Sequence, residues 1–93
     1  MAEPHPPAES AEARLRRLRI RSIRRGIREM DVILGRFADT GLPALTEDEL
    51  VLYDALLSEN DLDLFRWVSG QTPPPARFAA LVGRIARLVN AAG

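Results

Sequence analysis

The sequence predicts an all-α fold, a small compact five-helix bundle, on three observations. Apolar residues return at steps of three and four through successive segments, the period of a helix that buries one face. Capping residues, glycines and prolines punctuate those segments at short intervals. No stretch alternates apolar and polar residues with the period of a strand. Ninety-three residues suffice for one domain with one modest core. That domain is expected over residues 11–91, behind a disordered tail over residues 1–10, whose prolines and scattered charge bury nothing.

Ser10 is placed to cap the first helix, with Glu12 in its opening turn. Leu15 and Leu18 lie on one side of that helix, while Ile20 and Ile23 lie well round from them. One straight helix through Gly26 would present no clean face, so a break near Arg25-Gly26 is predicted. The second helix, about Gly26 to Ala38, carries Ile27, Met30, Ile33, Leu34 and Phe37 as a single stripe. Thr40-Gly41-Leu42-Pro43 ends it. Thr46 and Glu49 form a capping box for the third, with Leu45 and Leu50 as its hydrophobic staple. Leu50, Tyr53, Leu56 and Leu57 make its core face. Asp61 is expected to cap a short fourth helix bearing Leu64, Trp67 and Val68, closed by Gly70 in left-handed geometry. Pro73-Pro74-Pro75 links it to a fifth helix, where Phe78, Leu81, Val82, Ile85, Leu88 and Val89 keep one apolar face. With short loops between them, neighbouring helices are expected to pack roughly antiparallel.

The residue inventory narrows the chemistry. There is no cysteine, and the lone histidine, His5, lies in the proline-rich tail. Neither a thiolate metal site nor a Cys nucleophile is available, and no glycine-rich phosphate loop is present. The inventory therefore offers no catalytic residues, and the expectation is a protein that is not itself an enzyme, with no metal. No apolar run approaches the roughly 20 residues that span a bilayer, and the first ten residues resemble no targeting peptide. The expected location is cytoplasmic.

Net charge is zero but unevenly spread. All thirteen basic residues are arginine, and eight of them fall between Arg14 and Arg28. Ten of the thirteen acids lie between Glu29 and Asp63. Such asymmetry is expected to shape docking more than folding. A rival reading has the arginine run holding the phosphates of a nucleic acid. Against it, the run keeps to no single face, contains no aromatic for stacking, and is followed by acids that would repel a phosphate backbone.

The unusual feature is Arg25-Gly26-Ile27-Arg28-Glu29, followed by Met30-Asp31. Glycine costs a helix interior roughly 1 kcal/mol relative to alanine. Arg25 and Glu29, four apart, would share a helix face and flank a notch at Gly26 that admits a partner's backbone. The plainer alternative is that Gly26 only turns the chain between two helices while the charges are solvated. The segment Asp61-Leu62-Asp63-Leu64-Phe65-Arg66-Trp67 has a plain reading too. Asp61 caps, Asp63 favours the helix dipole, and Trp67 belongs to the core.

These residues resemble the succinate dehydrogenase flavinylation factor family. The family is recognised by R-G-x-x-E, which stands here as Arg25-Gly26-Ile27-Arg28-Glu29, and the stretch Arg21–Asp31 is similar to bacterial members. A second match runs from Leu45 to Trp67, with L-[ST]-x-[DE]-E, Tyr-x-x-Leu-Leu and D-x-D-L-x-x-W in family order. The resemblance covers roughly residues 14–88. Ile23 departs from it, standing where many members carry an aromatic. So does Leu62, which stands where a proline often opens the fourth helix. The resemblance implies an assembly factor that binds the flavoprotein subunit of succinate dehydrogenase and, in some bacteria, of fumarate reductase. It implies that the factor promotes covalent attachment of FAD to a histidine of that partner. FAD would be bound by the partner, and the factor would hold no cofactor of its own. Arg25, Gly26 and Glu29 would form the central partner contact, with Arg28 and Asp31 beside them. The factor would act by holding histidine and flavin in alignment.

Overall fold

A computed structural model of the chain describes residues 9–92, so His5 and most of the expected tail lie outside the described residues. Glu9 and Ser10, the last two residues of that tail, are engaged. Ser10 Oγ accepts the Ala13 N–H at 3.0 Å, and Glu9 pairs with Arg17 at 2.7 Å. From this cap α1 runs Ala11–Ile23. The chain then breaks where the drifting apolar stripe predicts, and α2 follows over Arg28–Thr40. A 3₁₀ turn over Leu42–Ala44 leads to α3 (Glu47–Leu56) and then α4 (Asp61–Val68). A second 3₁₀ turn, Ala76–Phe78, runs into α5 (Ala79–Ala92). The described residues thus form five α-helices and no strand, the expected all-α class.

The caps explain the boundaries. At α3 both arms of the predicted box close: the Glu49 N–H reaches Thr46 Oγ1 at 3.2 Å, and the Thr46 N–H reaches Glu49 Oε1 at 2.8 Å. At α4 the expectation is off by one residue. Asn60 is the cap, its Oδ1 accepting the Leu62 N–H at 2.9 Å and the Asp63 N–H at 3.4 Å. Asparagine and aspartate are equally good caps; Asn60 takes the position, and the Asp61 carboxylate is left for contacts elsewhere. Gly70 closes α4 at φ +83°. Its N–H reaches the Trp67 carbonyl and the Gln71 N–H reaches the Arg66 carbonyl, which is a Schellman motif.

The core gathers around α2, which packs on α1, α4 and α5. Met30, Leu34, Phe37 and Ala38 of α2 are buried with Leu18, Tyr53, Leu56, Leu57, Leu64, Val68, Phe78, Leu81, Val82 and Ile85. The drifting stripe of α1 leaves Ile20 and Ile23 exposed, 41% and 48%, on the side away from the buried Leu18. One expectation is corrected. Trp67 is only half-buried: its indole lies tilted on the Phe78 ring, centroids 6.2 Å apart, at the edge of the core.

The charge segregation turns out to organise the fold. Arg14 forms a two-pronged pair with Glu47, both contacts 2.7 Å. Arg17 and Arg21 both bind the Asp54 carboxylate, and Arg21 also reaches the Asp54 carbonyl at 3.1 Å. The basic helix α1 is therefore laced along the acidic α3. Burial works to raise the Asp54 carboxyl, but Arg17 and Arg21 outweigh it and hold it below the usual carboxylate range. Arg84 binds Glu49 at 2.9 Å, which ties α5 to α3, and Arg19 pairs with Asp39.

Candidate partner-binding site

The loop between α1 and α2 carries the arginine–glycine feature, and its shape is set by two carboxylates. Asp61, released from capping at the first residue of α4, points both oxygens at the loop. Oδ1 accepts from Arg25 Nε at 2.7 Å, and Oδ2 accepts the Gly26 N–H at 2.7 Å. Asp31, in the first turn of α2, accepts the Arg25 N–H. Two further Arg25 donors reach the carbonyls of Arg21 at 3.3 Å and Glu59 at 3.4 Å. The guanidinium is thus held from three sides, with three of its five donors engaged.

Each residue singled out in the sequence can now be placed. The Arg25 side chain is only 9% exposed, so it is no open flank of a notch. The expected sharing of a face by Arg25 and Glu29 does not bring them into contact, because Arg25 lies in the loop and is spent on Asp61. Gly26 does not have a positive φ, so no left-handed turn demands glycine here. The demand comes from close approach: a Cβ at position 26 would lie 3.1 Å from Asp61 Oδ2. The chain's own carboxylate fills that side of the notch, while the other side of Gly26 stays exposed. Asp31 is half-buried behind the loop, and Arg28 and Glu29 are exposed on the first turn of α2.

Beside them lies an apolar patch that the sequence reading missed. Val32, at its centre, is 59% exposed. A shallow depression of about 360 Å³ is lined by Arg28, Glu29, Val32, Ile33 and Phe65. One signal was available: Val32 stands off the buried stripe of α2, a position that usually carries a polar side chain. Asp61 was missed because a cap explained it fully. A second groove of about 580 Å³ runs between α4 and α5, with Trp67, Val82 and Val89 among its lining. Among the described residues no three His, Cys, Asp or Glu side chains are grouped to hold a metal. No helix of the described residues is long and apolar enough to cross a membrane.

Comparison with known proteins meets the same region. Residues 16–89 match the family described as "Flavinator of succinate dehydrogenase". The chain is 39% identical over 71 residues to "Succinate dehydrogenase assembly factor 2, mitochondrial" of Caenorhabditis briggsae, covering 74% of this chain and 58% of the relative. A protein of the same name in Mycosarcoma maydis is 38% identical over 79 residues, covering 85% and 33%. Another in Yarrowia lipolytica is 41% identical over 74 residues, covering 76% and 51%. The chain thus spans between about a third and three-fifths of the length of these relatives.

Proposed function

The chain belongs to the succinate dehydrogenase flavinator family, and from that premise we propose that it binds the flavoprotein subunit of succinate dehydrogenase and promotes covalent attachment of FAD there. One observation supports the docking face. Two sequence segments 35 residues apart meet at the Gly26 N–H and the Asp61 carboxylate, and beside that junction Arg28, Glu29, Val32 and Phe65 form one surface. That surface offers a cation, an anion and an apolar floor in an open, shallow form suited to a protein partner.

In this reading the chemistry belongs to the flavin and the partner. The chain contributes binding energy that favours a conformation in which the reacting groups are aligned. FAD is held by the partner, and this chain supplies no catalytic residue. The flavoprotein of fumarate reductase is a second partner of the same kind. The relatives carry a mitochondrial name; for this chain a cytoplasmic location is part of the proposal. Nucleic acid is not a partner, because five of the eight arginines from Arg14 to Arg28 are already paired with carboxylates of the chain.

The test is reconstitution. The apo flavoprotein subunit is incubated with FAD, with and without this chain, and covalent flavin is read by in-gel fluorescence after denaturation. Faster or more complete attachment with the chain is expected. Equal attachment in both, with no complex by size-exclusion chromatography, would overturn the proposal.

A further inference from the structure

We infer that Asp61 is the positioning residue of the docking loop, and that Arg25 serves docking through Asp61 without touching the partner. This deepens the reading above and rests on it. A residue that contacts a partner directly has donors to spare on the surface. Arg25 has few, and they are covered: its side chain is 9% exposed, and three of its five guanidinium donors are committed to Asp61 and to the Arg21 and Glu59 carbonyls. The Asp61 carboxylate is itself mostly covered, its side chain 18% exposed. It bridges the Arg25 side chain and the Gly26 N–H with one oxygen each. A bridge of this form fixes the loop on α4. α2 begins two residues after Gly26, so the same bridge fixes where Arg28, Glu29 and Val32 stand relative to Phe65 of α4.

Gly26 then has a reason that neither sequence reading supplied. Glycine lets Asp61 come close, since a Cβ there would crowd Oδ2 at 3.1 Å. A larger side chain at position 26 would push Asp61 away and release Arg25 as well. Arg25, Gly26 and Asp61 should therefore behave as one unit toward the partner, while Glu29 and Arg28 behave as separate contacts.

A double-mutant cycle reads this directly. Affinity for the apo flavoprotein subunit is measured for D61N, R25Q, G26A and the pairs D61N/R25Q and D61N/G26A, at a temperature where circular dichroism shows each fully folded. D61N keeps the shape and one acceptor but removes the charge. Each single change should weaken binding roughly tenfold, and each pair should be no weaker than its worse member. Should R25Q not fold, R25K takes its place in the cycle, since it keeps the charge and loses the fork. Amide exchange in the free protein gives a readout independent of the partner. D61N should speed exchange at Gly26 and leave core amides such as Leu34 unchanged, whereas a merely structural role would loosen both. Multiplicative losses in the pairs, or unchanged affinity in D61N, would overturn the inference and leave the docking reading standing. If the wild-type chain fails to bind the flavoprotein, the docking reading falls, and the inference about docking falls with it.

Discussion

At position 53 the core carries a hydroxyl, and its proton can be traced. Ser22 is the one buried polar side chain among the described residues. Its Oγ donates to the Leu18 carbonyl at 2.7 Å and lies 2.6 Å from the Tyr53 hydroxyl. A serine has one proton to give, and it is spent on Leu18, so Tyr53 is the donor in the second bond. Removing that donor in Y53F should cost about 1–2 kcal/mol, measured by denaturant unfolding. Burial pushes the Tyr53 phenol up to about 12, with the nearby arginines opposing it. The sign follows. An unfolded tyrosine ionises near 10, so between about pH 10 and 12 the unfolded state binds fewer protons, and stability falls as pH rises. The contribution is complete below pH 10 and is lost toward 12, about 2–3 kcal/mol in all. The wild type should show this alkaline decline, and Y53F should lack it. An identical pH profile in the two proteins would show that Tyr53 is not the group responsible. Tyr53 itself was legible as a core residue from its spacing, but its partner was not. A serine in an arginine-rich helix carries no sequence mark of burial.

Helix by helix, legibility followed how local the cause was. The capping box of α3 and the left-handed closure of α4 need only neighbouring residues, and both stand where the sequence put them. The cap of α4 was misplaced by one residue because Asn60 and Asp61 offer the same local chemistry. Only a contact 35 residues away decides which of them is free. The lacing of α1 on α3 is non-local too, and charge counts alone gave no register. It carries a prediction of its own. Asp54, Glu47, Glu49 and Glu9 are all held below the usual carboxylate range. For Asp54, burial is outweighed by Arg17 and Arg21. Glu47 is held down chiefly by Arg14, Glu49 by the Thr46 N–H, and Glu9 by Arg17. A folded value below the unfolded one means the stabilisation is present above about pH 4 and fades as pH falls further. Stability should thus be flat near neutrality and drop below about pH 4. D54N should cost about 1 kcal/mol at pH 7, since the pair is partly exposed and screened, and should shrink the acid decline. A D54N variant with wild-type stability at pH 7 and an unaltered acid decline would mean that α1 is held by its apolar contacts alone.

Across the whole molecule, the two halves of the charge pattern pair with each other, mostly at the surface between helices, and leave a small mixed face beside them. Arg14, Arg17, Arg19, Arg21 and Arg25 are paired within the chain, which leaves three of the eight arginines from Arg14 to Arg28 without a described ion pair. Of these three, Arg28 stands beside Glu29, the two exposed and adjacent on the first turn of α2 next to Val32, while Arg16 and Arg24 are exposed elsewhere. That placement changes which residues can test docking. Arg25 is a poor probe, since its loss would disturb the loop and the Asp61 bridge together. R28A and E29A touch no described hydrogen bond and should each change stability by less than about 0.5 kcal/mol. A charge whose partner is desolvated at an interface costs about 2–5 kcal/mol to remove, so either change should weaken flavoprotein binding by tenfold or more at an unchanged melting temperature. V32E, which puts a charge on the apolar floor, should do the same. The two charge variants part company if the surface binds phosphates: losing Arg28 would then weaken binding, while losing Glu29 would relieve repulsion and strengthen it. Docking on a protein by this mixed face requires both losses to weaken it, so tighter flavoprotein binding by E29A, measured beside R28A, would remove Glu29 from the contact.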